Sequence, residues 1–124
     1  MNFSEKSFWL GSRGRRLAAT CFAPERARGA VLFIGPFAEE RKGALPVVVA
    51  LARRLARGGV ASLWFDFSGC GDSEGDFADT PPEAFEEDCA SAYAWLAETY
   101  PPPLPHIVLG IRTGGGLALR LAPM

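Results

Sequence analysis

Apolar positions along the chain follow two periods. Ser7–Leu10 and Leu17–Phe22 are β-like stretches separated by Gly-Ser-Arg-Gly-Arg-Arg, whose glycines and serine suit a turn, so the two stretches are expected as antiparallel neighbours. Beyond the polar turn Pro24–Gly29, Ala30–Gly35 is an unbroken apolar run, the pattern of a strand covered on both faces. The period then changes. Over Ala44–Arg57, Val48, Leu51 and Leu55 recur every three or four residues while Arg53, Arg54 and Arg57 fall elsewhere on the wheel. Pro46 suits the first turn of that helix, and Gly58 the position just past its end. Val60–Phe65 is a second unbroken run, leading into Asp66 and a glycine-rich loop. Thr80-Pro-Pro-Glu83 has the form of a capping box, with Glu83, Glu86, Glu87 and Asp88 near the positive end of the helix dipole. Phe85, Cys89, Ala92 and Leu96 form the buried stripe of that helix, and Tyr100 with the three prolines behind it stops it. His106–Gly110 is the last strand, and a helix opens at Gly114.

Strand and helix alternating after an initial hairpin predict an α/β protein: a doubly wound, mostly parallel sheet with an N-terminal antiparallel hairpin, in one domain over residues 1–124. Ligands of such sheets bind beyond the carboxyl ends of the strands. Three loops are expected there: Gly35–Lys42, Asp66–Asp76 and Gly110–Gly115.

Composition narrows the partners. The 124 residues are 48% hydrophobic and 22% charged with a net charge of −1, so nothing electrostatic draws the chain to nucleic acid or to an anionic membrane. The longest apolar run, around Leu45 to Ala52, falls well short of the ~20 residues that span a bilayer. The N-terminal segment lacks the charge and apolar layout of a secretory signal. Cys21, Cys70 and Cys89 are odd in number and widely spaced, which points to a reducing cytosol and away from a disulfide framework or a zinc site. Asp72, Glu74 and Asp76 alternate like the start of a calcium loop, but Phe77 stands where the glycine is required. Gly69, Gly71 and Gly75 have the wrong spacing for a dinucleotide fingerprint, and no G-K-[ST] occurs, so neither metal nor cofactor is expected.

The three loops carry a resemblance. Gly35-Pro-Phe-Ala-Glu-Glu-Arg-Lys42, Asp66-Phe-Ser-Gly-Cys-Gly-Asp-Ser-Glu-Gly-Asp-Phe77 and Leu109-Gly-Ile-Arg-Thr-Gly-Gly-Gly-Leu-Ala-Leu119 are similar to loops of the α/β-hydrolase fold, and more narrowly resemble the exosortase A system-associated hydrolases of the second type. The resemblance covers about Ala30 to Leu121 and implies a cytoplasmic hydrolase-like protein tied to exopolysaccharide or surface-protein export, taking an ester, acyl or glycan-linked substrate.

Gly110 and Gly114 have the spacing of the nucleophile elbow G-x-S-x-G, but Arg112 occupies the serine position. In this fold the acid and the histidine follow the elbow on later strands, whereas His106 stands at the opposite end of the last strand, a surface position. Two readings of Arg112 stand: a guanidinium paired with Glu39, Glu40 or Asp72, or a fork that holds a carboxylate or phosphate over a helix N-terminus. Thr113 supplies one backbone N–H of an oxyanion-type site, and Phe37 or Ala38 the other, Pro36 having none. Arg112, Glu39, Glu40, Cys70 and Asp72 are the candidate ligand contacts; Cys70 as a nucleophile is disfavoured by the acids around it. Ser68 and Ser73 are expected to hydrogen-bond within their loop. His106–Gly110 would be a bare apolar edge unless further strands follow or the strand self-associates. The expectation is a chain truncated at its C-terminus; the alternative is a non-catalytic anion-binding or assembly module.

Overall fold

The computed structural model describes residues 1–36, 40–111 and 113–121. Five strands, β1 (Phe3–Ser12), β2 (Arg15–Pro24), β3 (Gly29–Ile34), β4 (Val60–Phe65) and β5 (His106–Gly110), form one sheet in the order β1-β2-β4-β3-β5. β1 and β2 are an antiparallel hairpin, β2 is antiparallel to β4, and β3 is parallel to both β4 and β5. Helices α1 (Glu40–Arg57), α2 (Pro82–Thr99) and α3 (Thr113–Leu121) follow β3, β4 and β5. The expected doubly wound α/β architecture is therefore observed, with the hairpin longer at both ends than its apolar pattern implied.

Two cores explain the unbroken apolar runs. Ala30, Leu32 and Ile34 of β3 and Ala61, Leu63 and Phe65 of β4 pack with Phe85, Cys89, Ala92 and Leu96 of α2. The alternate residues Val31, Phe33 and Trp64 pack with Val48, Ala52 and Ala56 of α1. Each central strand thus buries both faces, as its lack of alternation requires.

Helix α1 departs from expectation in two ways. It begins at Glu40, so Pro46 is its seventh residue and not part of the first turn. Proline removes the bond to the Lys42 carbonyl, but an ion pair from Arg41 to the end of β4 holds the preceding turn in place. Leu51 is also not in the buried stripe: it is 38% exposed, and Ala52 and Ala56 face the sheet instead, because small residues let the helix lie close.

The capping box is absent. α2 begins at Pro82 behind Pro81, and the Thr80 hydroxyl donates to the Asp76 carbonyl at 2.7 Å, closing the single 3-10 turn Phe77–Asp79. Pro81 and Pro82 carry no N–H, so the donors such a box would satisfy are fewer. Asp88, read in the sequence as one of the acids near the positive end of the helix dipole, is fully buried; it accepts from Ser12 Oγ at 2.7 Å, Ser68 Oγ at 2.9 Å and the Ser68 amide at 2.8 Å, tying hairpin, loop and helix together. No described helix is long and apolar enough to cross a membrane.

Three substitutions test these assignments in urea unfolding. Leu96→Ala, fully buried, is expected to cost about 2–5 kcal/mol and Leu51→Ala about 0.5 kcal/mol or less; equal costs would contradict the α1 orientation. Asp88→Ala is expected to cost about 2–4 kcal/mol by stranding three donors, and a neutral result would contradict the buried network.

Candidate functional site at the carboxyl rim of the sheet

The rim is built by segments leaving β3, β4 and β5. At the end of β4, Asp66 is 4% exposed and takes both guanidinium bonds of Arg41, the second, from Nη2, at 3.0 Å. Trp64 Nε1 donates to the same carboxylate at 3.2 Å, and so does the Asp72 amide. One buried carboxylate therefore joins the first turn of α1 to the loop Asp66–Asp76. Asp66 also holds Arg41 protonated beyond its ordinary range, against the opposing effect of burial. Gly71 has a φ of +51° and lies against the Asp66 carboxylate, so a side chain there would be strained and would collide with it.

The same loop is stitched to β2. Ser73 Oγ donates to the Asp66 carbonyl and accepts from the Ala18 amide at 2.9 Å, and Ser68 Oγ accepts from Arg15 Nε at 2.9 Å. Ser73 thus bonds within its loop, as expected, whereas the Ser68 hydroxyl bonds outside it, to Arg15 of β2 and Asp88 of α2. Glu74 accepts from the Arg16 amide at 2.8 Å and from its guanidinium at 3.1 Å, which lowers the Glu74 pKa below the usual carboxylate range. Asp76 accepts from the Ala78 amide, and Asp72 is exposed at the rim. The three acids thus have separate roles, and no group of three metal-ligating side chains occurs among the described residues.

The turn after β5 crosses onto β3. The Ile111 amide donates to the Ile34 carbonyl at 2.9 Å, and the Gly114 amide to the Ile111 carbonyl at 2.9 Å. A Cβ on Gly114 would strike the Ile34 carbonyl, and one on Gly110 would strike Gly114 and Gly115. Both glycines are demanded by close approach of strand, turn and helix, the packing of a nucleophile elbow. The helix opens at Thr113, one residue before the expected Gly114.

Among the predicted site residues, Phe37, Ala38, Glu39 and Arg112 lie outside the described residues. Glu40 opens α1 and Thr113 opens α3. Cys70 is buried in the core on the α2 side, with its amide bonded to the Phe67 carbonyl at 2.9 Å. His106 is half-buried and not simply a surface group: Nδ1 meets Tyr93 Oη at 2.9 Å and Nε2 meets the Tyr100 carbonyl at 2.6 Å, at the amino end of β5. Arg41 and Asp66 were missed as site residues. Their sequence signal is weak, because an Asp after an apolar strand and an Arg early in a helix pair only once β3 and β4 lie side by side.

The profile of the X-Pro dipeptidyl-peptidase (S15 family) matches residues 13–107, from the hairpin turn to the start of β5. Among curated proteins none matches in sequence. Among solved structures, an inferred hydrolase from Agrobacterium vitis S4 is 27% identical with a TM-score of 0.72, over 99% of this chain and 46% of its own. An esterase of Pyrococcus furiosus is 22% identical with a TM-score of 0.73, over 95% of this chain and 44% of its own. An α/β serine hydrolase without lid from Xanthomonas campestris is 20% identical with a TM-score of 0.77, over 99% of this chain and 57% of its own. The chain therefore spans about half the length of the structures it resembles. With the strand order, the glycine-packed turn after β5 and a profile match over most of its length, the chain belongs to the X-Pro dipeptidyl-peptidase (S15) family and has the α/β-hydrolase fold.

Proposed function

We propose that the chain is the front half of a hydrolase unit acting on an ester, acyl or glycan-linked substrate, with Arg112 holding an anionic group of that substrate in place of a nucleophile. The observation that carries this reading is the bareness of β5. Its Ile107, paired with Val31 and so on the α1 face, is 57% exposed, and α1 leaves Val47 70% exposed. On the other face a cavity of about 470 Å³ opens between Tyr93, Val108, Ala118 and Leu119. An apolar edge strand whose two faces are only partly covered calls for further strands and a helix, which would bring the acid and the histidine to the rim. Thr113 and Phe37 are the proposed backbone donors, and Glu39, Glu40, Cys70 and Asp72 the surrounding groups. The exosortase and exopolysaccharide setting, and a cytoplasmic location, follow from the loop resemblance.

A second reading is a non-catalytic anion-binding or assembly module that covers β5 by self-association. It is favoured by His106, whose two ring nitrogens are both engaged away from the rim.

Calorimetry with phenyl phosphate and turnover of p-nitrophenyl butyrate and an X-Pro p-nitroanilide test the assignment. The 124-residue chain is expected to bind phenyl phosphate, to lose about tenfold in affinity on Arg112→Ala, and to turn over neither chromogenic substrate. Unchanged affinity in Arg112→Ala would remove the anion-holding role. Ester turnover by this chain would overturn the view that its acid and base lie elsewhere. When the chain is extended by its downstream reading frame, gain of turnover supports the hydrolase reading, and continued inactivity the module.

A further inference from the structure

On the α1 face of the sheet, away from β5, an open groove of about 550 Å³ runs between α1 and the β1–β2 hairpin. Its volume lies in the range of small-molecule sites. Phe22 and Thr20 of β2 and Trp64 of β4 line it beneath Leu45 and Val49 of α1. Trp9, 53% exposed, projects from β1 into its lining. The indole is held in place: the Arg16 guanidinium lies 5.0 Å from the ring centroid, and Glu74 fixes Arg16 in turn. The result is a preset aromatic platform on an edge strand.

Polar groups gather at the two ends. Arg53 and Glu5 form a two-point pair at 3.0 and 3.1 Å at one end, and Arg41 pairs with Asp66 at the other, beside Asp72. Each guanidinium is already neutralised by its partner carboxylate, so among the described lining residues no unpaired cation meets an anionic ligand. What the groove does offer is donors and acceptors side by side, at both ends of an apolar surface. Hydroxyls, which donate and accept together, suit such pairs better than an ion does. Ser7 and Thr20, whose hydroxyls are 3.2 Å apart, add two more such groups.

We infer that this groove binds a neutral saccharide, with one apolar pyranose face against Trp9 and ring hydroxyls on the Arg53–Glu5 pair, the Arg41 guanidinium and Asp72. The groove shares Arg41, Asp66 and Asp72 with the rim, but Trp9 is not among the groups proposed around position 112, so substitution of Trp9 tests the groove separately from that role.

Titration of the full chain with maltose, cellobiose and phenethylammonium, followed by the amide signals of Ser7 and Thr20, tests it. A disaccharide is expected to shift both signals saturably, with a dissociation constant in the range of about 1–10 mM. Trp9→Ala should weaken binding about tenfold and Trp9→Phe much less, both with unchanged unfolding midpoints, because the side chain is exposed. Absence of saturable shifts with either sugar up to about 100 mM overturns the inference. So does saturation by phenethylammonium alone, which would mark a cation site, and so does unaltered sugar binding by Trp9→Ala.

Discussion

One buried carboxylate organises the rim. Asp66 receives two bonds from Arg41, one from the Trp64 indole and one from the Asp72 amide, while its own carbonyl receives the Ser73 hydroxyl. Burying a charge is unfavourable unless it is paired and fully hydrogen-bonded, and here the bonds come from the first turn of α1, from β4 itself and from the glycine-rich loop. The start of α1, the glycine-rich loop and the end of β4 therefore take up one arrangement together. A rim made of loops gains the rigidity that a binding or catalytic surface needs without a helix or strand beneath each residue.

The third segment joins by shape. Gly110 and Gly114 let the turn after β5 press onto the end of β3, where the Ile34 carbonyl accepts from Ile111. In the α/β-hydrolase fold that geometry exposes a nucleophile; here the central position is arginine. Arg112 itself lies outside the described residues, so the anion-holding role proposed for it rests on its place in the sequence between Gly110 and Gly114. The exposure of Ile107 and the cavity beside Val108 are the grounds for the proposal that further strands complete such a site.

Much of the fold was legible in the pattern of side chains. The runs at Ala30–Gly35 and Val60–Phe65 and the stripe Phe85, Cys89, Ala92, Leu96 reported burial directly, because each strand or helix face is fixed by local periodicity. Errors arose where a tertiary partner or a neighbouring turn decides. Pro46 marked a helix start only until Arg41 found Asp66, and Thr80 fitted a cap until its hydroxyl was used by Asp76. Asp88 had the sequence position of a dipole-facing charge and the environment of a core acceptor, set by Ser12, 76 residues away in sequence. The glycines of the turn after β5 were readable because close packing admits no other residue. The Arg41–Asp66 pair was not readable, since nothing local distinguishes a paired arginine from a solvated one.

The dependence of the rim on that pair is measured most directly by a double-mutant cycle in urea unfolding, with Arg41→Ala, Asp66→Ala and the double variant. A coupling energy of about 2 kcal/mol or more is expected for two partners held in this partly buried, two-point geometry. A coupling below about 0.5 kcal/mol, the level of an exposed surface pair, would show that Asp66 does not hold the rim together.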